Sequence, residues 1–235
     1  MSQRVFQVPE IGEVLIARRR GSRHLRLSIS PAGKVRLGMP YFTPYGVGLR
    51  FIESKKSWLK EQLQKTQVSP IKPGGRIGKL HTVYFQPSQN IAKTAQLRIS
   101  TTAIEIRSPL DIMHPDVQAK LRQACERALR IQAEKLLPIR LAEISRRYQL
   151  PYSSVRIRKL TSRWGSCSKD NTITLSYFLM QLPWNLIDYV LLHELAHTKI
   201  LHHGPRFWDF MEQRMPGSKS IQNETKAYKP IVQSQ

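Results

Sequence analysis

Cysteines and acidic residues are both scarce in this sequence, and each shortage removes a class of protein. The two cysteines, Cys125 and Cys167, stand far apart with no C-x-x-C pair, which excludes a disulfide-stapled framework and a four-cysteine zinc ribbon. No apolar run approaches the roughly 20 residues that span a bilayer. Met1-Ser2-Gln3-Arg4 leads into no apolar signal segment, so the expected location is the cytoplasm. No internal period suggests a solenoid. Only 16 acidic residues face 38 lysines and arginines, a formal net charge of +22. Such a balance attracts phosphate backbones, acidic proteins or anionic surfaces without choosing among them. The basic residues are dispersed, as in Arg18-Arg19-Arg20, Lys55-Lys56 and Arg146-Arg147, and no aromatic-rich basic patch stands out.

What is present is enough for a folded body. At 235 residues and 40% hydrophobic content, the chain can bury one sizeable core or two small ones. Apolar residues cluster or alternate over 14–20 and 23–30, and Val35, Leu37 and Met39 alternate again after Pro31-Ala32-Gly33. Residues 23–40 therefore read as a β-hairpin. A helix is expected over 43–65, then a loop rich in breakers from Ser69-Pro70 to Gly75, strands around 76–86 and a second hairpin over 95–107. Residues 116–148 carry a long helical pattern with Val117, Leu121, Ala124, Ala128, Ile131, Leu136, Leu141, Ile144 and Tyr148 on its apolar side. Pro138 inside it implies a kink or two helices in series. Strands follow at 153–160 and 171–176, on either side of Arg163-Trp164-Gly165-Ser166-Cys167. The fold class is α+β: a β-rich N-terminal portion with one helix over 1–110, a second half over 111–214 and a polar tail over 215–235.

The chemistry is concentrated in residues 190–208. His193-Glu194-x-x-His197 follows Pro183 and the apolar run Leu186 to Leu192, and precedes Gly204-Pro205, so it lies on a helix with a start and a stop. Residues four apart on a helix share a face, and the two imidazoles can aim at one point. Zinc is the ion expected there, because its tetrahedral shell accepts nitrogen ligands and a catalytic site keeps one position open for water. Glu194 fits as the general base. A third ligand is needed, and His203 can supply it if the helix ends near Leu201 and the chain curls back. Its neighbour His202 competes, with Glu212 and Glu224 as more distant carboxylates. The bend at Gly165 lets backbone approach a ligand closely, and a short sheet there can bind an extended peptide as an added strand. Arg163, Trp164, Gly165 and Ser166 are the candidate substrate-binding residues. Tyr189, Arg163 and Arg206 are candidate second donors to an oxyanion.

These residues resemble the YgjP-like metallopeptidases and are more distantly similar to the SprT-like proteases that cleave proteins attached to DNA. The resemblance rests on Arg163-Trp164-Gly165-Ser166-Cys167, on Leu182-Pro183 with Ile187-Asp188-Tyr189-Val190, on His193-Glu194-Leu195-Ala196-His197 and on His203-Gly204-Pro205-Arg206-Phe207-Trp208. With the first hairpin, Pro40 and Trp58, it covers about residues 14–214. It implies a zincin-like catalytic half, His193, His197 and His203 as metal ligands, and Glu194 as the catalytic carboxylate. The sequence departs from the family pattern at Ser176 and Tyr177, where asparagine and tryptophan are usual.

The resulting expectation is a zinc-dependent metallopeptidase acting on peptide or protein substrates. The alternative is a basic nucleic-acid-associated protein with a structural or secondary metal site, or a SprT-like protease acting on DNA-bound proteins. A structural zinc site is closed by four protein ligands, which two histidines and a single third residue do not provide.

Overall fold

Alternation with a period of two builds the first part of the chain. In the computed structural model, which describes residues 2–30, 33–66, 70–89 and 95–228, β1 (Ser2–Val8), β2 (Gly12–Arg19), β3 (Arg26–Ile29) and β4 (Val35–Pro40) form a sheet in the order β1-β2-β4-β3. Pro31 and Ala32 of the expected turn, Ser69 of the expected loop and residues 229–235 of the expected tail lie outside the described residues. The chain divides into two compact units, Met1–Ser69 and Pro70–Gln235.

In the first unit β1 and β2 are antiparallel, β2 and β4 parallel, and β3 and β4 antiparallel. Val14, Ile16, Val35, Leu37 and Met39 point to one face, where they are buried with Ile52 of α1 (Tyr45–Ser54) and Leu59 of α2 (Lys56–Thr66). α1 comes close to the sheet at Gly48, where an added Cβ would stand 3.0 Å from both Leu37 Cδ2 and Met39 Sδ. The single helix expected over 43–65 is thus two helices. They divide at Lys55 (φ −109°, ψ 12°), where the polar run Glu53-Ser54-Lys55-Lys56 offers no apolar residue to hold a turn on the sheet.

The second unit opens with β5 (Arg76–Ile77), β6 (His81–Pro87), β7 (Gln96–Ile99) and β8 (Ala103–Ser108), in the order β5-β6-β8-β7. Its strand senses repeat those of the first sheet, although the sequence shows no repeat. These strands, which the sequence reading grouped with the N-terminal portion, belong to the second unit. Its third sheet joins β9 (Ser154–Arg158), β10 (Gly165–Cys167) and β11 (Thr172–Ser176) in the order β10-β11-β9. A 3-10 turn over Tyr177–Gln181 leads to α4 (Trp184–Ala196), α5 (Pro205–Arg214) and α6 (Ser218–Ala227). α6 lies in the stretch read as a polar tail. Its first turn is fixed by Glu212, whose carboxylate accepts from Gly217 N at 2.6 Å and Ser218 N at 3.0 Å.

The core of this unit is built on α3 (Pro115–Tyr148), one helix of 34 residues, about 51 Å long at 1.5 Å per residue. Pro115 occupies its first turn, Asp116 favours the positive helix end, and Gln149 in the left-handed region stops it. Pro138 does not divide it into two helices. Its buried stripe keeps Val117, Leu121, Ala124, Ala128, Leu141 and Ile144 of the sequence reading, while Leu136 and Tyr148 are only partly buried, Ile131 is exposed, and the neighbouring Gln132 is fully buried. The reason is polar. Gln132 Oε1 accepts from Lys79 N at 2.6 Å and Leu80 N at 3.0 Å, while Nε2 donates to Ile77 O and His81 Nδ1. Gln118, also buried, likewise bonds both backbone groups of Ile71. Each amide satisfies backbone groups of a loop packed against α3. Among the described residues no helix is long and apolar enough to cross a membrane.

Gln132→Leu strands two backbone N–H groups and should destabilise the second unit by about 3 kcal/mol, whereas Gln123→Leu on the same helix should cost under about 0.5 kcal/mol. Urea unfolding of the two variants measures the difference.

Candidate metal centre

α4 exists because its sequence is apolar almost all round. Leu186, Ile187, Val190, Leu191, Leu192 and Leu195 are buried on every side, as in a helix enclosed by its protein. Arg140 of α3 secures its second turn through two bonds to the Asp188 carboxylate, 2.7 and 2.6 Å. The helix ends at Ala196, five residues before the expected Leu201, and His197 is its cap residue. Thr198 N, Lys199 N and Ile200 N then bond back to Leu195 O and Ala196 O. The tight reversal carries the chain through exposed Leu201 and His202 to His203, and Pro205 starts α5.

The consequence is a cluster of three imidazoles. One nitrogen from each of His193, His197 and His203 lies within 4.8 Å of the others, and no fourth His, Cys, Asp or Glu donor joins them among the described residues. His193 Nε2 and His203 Nε2 are 2.9 Å apart. His197 Nδ1 lies 3.0 Å from Ile200 O. A carbonyl only accepts, so His197 carries its proton on Nδ1 and presents the Nε2 lone pair. Burial, reinforced by the neighbouring imidazoles, pushes His193 down to about 3, and burial also lowers His197. Neutral imidazoles are the form that ligates. Donors of a tetrahedral zinc stand about 3.3 Å apart, so the observed cluster fits such an ion within a small side-chain adjustment. His202 and Glu224 stay outside the group, and Glu212 is spent on α6.

A residue to which the sequence reading gave no role in the site lies beneath the cluster. Phe207, fully buried, has its ring centre 5.0, 4.9 and 4.8 Å from those of His193, His197 and His203. Trp208 stacks on His203 at 6.2 Å. Phe207 lies in the first turn of α5, and the reversal after α4 brings that turn under the imidazoles.

Glu194 is buried on the helix beside His193. Burial pushes its carboxyl up to about 8, with the Arg163 guanidinium opposing. The backbone of β10 lies directly on it: a Cβ added at Gly165 would stand 2.7 Å from both Glu194 Cγ and Oε1. Gly165 is therefore required by space rather than by its backbone angles. β10 is at the edge of its sheet. Ser176 N bonds Trp164 O at 2.8 Å and Ser168 N bonds Thr172 O at 3.0 Å, so Trp164, Ser166 and Ser168 turn their backbone groups to β11. In an antiparallel ladder the alternate residues, Gly165 and Cys167, then turn theirs away from it.

The remaining candidates separate. Arg163 is exposed, and Trp164 is half-buried against the core. Tyr189 is buried with its hydroxyl 3.4 Å from His193 Nδ1, beside the ligand nitrogen's partner atom. Arg206 is exposed and lines a cavity with Tyr148, Leu150 and Ile200. At the two positions that depart from the family pattern, Ser176 bonds Leu160 O and Tyr177 bonds Glu126. Both are buried.

The YgjP-like metallopeptidase domain family matches residues 23–228. Among solved structures, the chain is similar to the metallopeptidase zymogen abylysin of Pyrococcus abyssi, at 30% identity over 39% of this chain and 93% of that one, with a TM-score of 0.36. It is also similar to the metallopeptidase zymogen jannalysin of Methanocaldococcus jannaschii, at 24% identity over 40% of this chain and 92% of that one, with a TM-score of 0.34. No curated protein matches.

Gly165→Ala should cost about 1–3 kcal/mol through crowding of the Glu194 carboxylate, while Ser166→Ala should stay within about 0.5 kcal/mol. Thermal unfolding followed by circular dichroism compares them, and equal losses would exclude the contact as the cause.

Proposed function

The chain belongs to the YgjP-like metallopeptidase family, a membership that implies a divalent metal and a peptide or protein substrate, and from that premise we propose that it hydrolyses peptide bonds with zinc held by His193, His197 and His203. The observation that carries the reading is the set of three nitrogens within 4.8 Å without a fourth donor among the described residues. A structural site is closed by four protein ligands, whereas a catalytic one keeps a place for water. When bound, zinc supplies an acidified water, with a pKa of about 7, and a Lewis acid for the scissile carbonyl.

The chain's own residues supply the rest. Glu194 accepts a proton at its carboxylate and returns it to the leaving amine. Its position is fixed by α4 on one side and by the Gly165 backbone on the other. His197 is oriented by Ile200 O, and Phe207 packs under all three rings. An extended substrate joins the edge of β10, pairing with the N–H and C=O groups of Gly165 and Cys167, so that its carbonyl passes the histidines. Ser166, turned toward β11, contributes its side chain rather than its backbone. Arg163, exposed next to this edge and acting on Glu194 through its charge, is the candidate for stabilising the developing oxyanion.

Glu194→Gln should keep about one zinc per chain and lose about 100-fold or more of the hydrolysis of an unfolded protein such as casein. His203→Ala should lose the zinc. Elemental analysis beside the activity assay reads both; undiminished cleavage in the first variant, or full zinc in the second, would remove these residues from their roles.

A further inference from the structure

The first unit carries a surface that the peptidase reading leaves unused. The inward rows of its sheet do not end in apolar residues. On β2 the row of Val14 and Ile16 continues to Arg18, with Arg20 in the turn just past the strand, and on β4 the row of Val35, Leu37 and Met39 is followed by Tyr41 just past the strand's end. On antiparallel β1, Phe6 gives way to Arg4. Strand alternation puts these residues on one face, and Tyr45 at the start of α1 meets them there.

The contacts are specific. Arg18 Cζ lies 4.4 Å from the Tyr45 ring centre and 5.5 Å from that of Tyr41. Arg20 lies 5.3 Å from Tyr41, and Arg4 5.3 Å from Tyr45. Phe42 stands edge-on to Tyr41 at 5.4 Å and is 89% exposed. Among the described residues none of the three arginines forms an ion pair, while Glu10 and Glu53 of the same unit are taken by Lys56 and Lys60. Residues 1–69 hold thirteen lysines and arginines against four acidic residues.

We propose that this face binds single-stranded nucleic acid, with the arginines on the phosphates and Phe42 stacked against a base. Rings hold the guanidiniums in place, and a guanidinium matches phosphate geometry with paired donors. Interleaved cations and aromatic rings are what an unpaired strand requires, since its phosphates and base faces are both accessible. A duplex keeps its base faces stacked and offers nothing to Phe42. A membrane surface calls for a broad apolar face, whereas here one exposed ring stands among cations. The face lies within residues 4–45 of the first unit, whereas the histidines belong to the second, so the proposal does not depend on the metal site.

Fluorescence anisotropy of the full chain with a labelled oligothymidylate of about 20 nucleotides, across a salt series, tests it. Phe42→Ala should weaken binding by about fivefold to a hundredfold. Arg4→Ser combined with Arg20→Ser should reduce the log–log salt slope by about 1.4. All three side chains are exposed, and circular dichroism melting verifies that the variants fold; Arg18, whose Nε is enclosed, is left in place. No binding at low salt, binding that these substitutions leave unchanged, a duplex of equal length held as tightly, or phosphatidylserine vesicles held more tightly than the oligonucleotide would each overturn the proposal.

Discussion

The hydrogen bond from His197 Nδ1 to the Ile200 carbonyl, at 3.0 Å, serves three parts of the structure at once. It closes the reversal after α4, fixes the tautomer of the imidazole, and sets the direction in which the chain leaves toward His203. An unbroken helix would carry residue 203 away from the face shared by His193 and His197. Because the helix instead stops at Ala196, a residue ten positions from His193 comes within 2.9 Å of it. The site is thus made by where a helix ends as much as by what the helix carries.

Around that turn, packing substitutes for additional polar anchors. Phe207 touches all three imidazole rings from below, so the rings are positioned by one rigid aromatic surface that has no rotatable polar group of its own. On the opposite side β10 meets the Glu194 carboxylate without any intervening side chain. The same strand turns the backbone of Gly165 and Cys167 away from its sheet partner. The Glu194 carboxylate of α4 and the free edge of the third sheet therefore meet at β10, and displacement of that strand would disturb both.

Much of this was legible in the sequence, for identifiable reasons. The H-E-x-x-H spacing, the proline before it and the Gly-Pro after it report a short-range helical geometry that local sequence controls. The hairpin of β7 and β8, with Leu97 opposite Ile106 and Ile99 opposite Ile104, follows from plain alternation. Other features were not legible because they depend on groups brought together over long distances. Gln132 sits on a stripe read as apolar, since its loop partners lie more than 50 residues away. Glu212, a candidate ligand by composition, is committed to the start of α6. The role of Phe207 and the gathering of Arg4, Arg18 and Arg20 around two tyrosines likewise appear only when strands and helices are assembled. The dispersed arginines that argued against a basic aromatic patch in one dimension form one in three.

Among the described residues the buried apolar side chains form one cluster within 8–59 and another within 71–211. Cooperativity in unfolding comes from shared burial, which each cluster supplies within its own unit. The elements that build the histidine site, α3, α4, α5 and β10, all lie within the second unit, so its scaffold and its chemistry come from one and the same core.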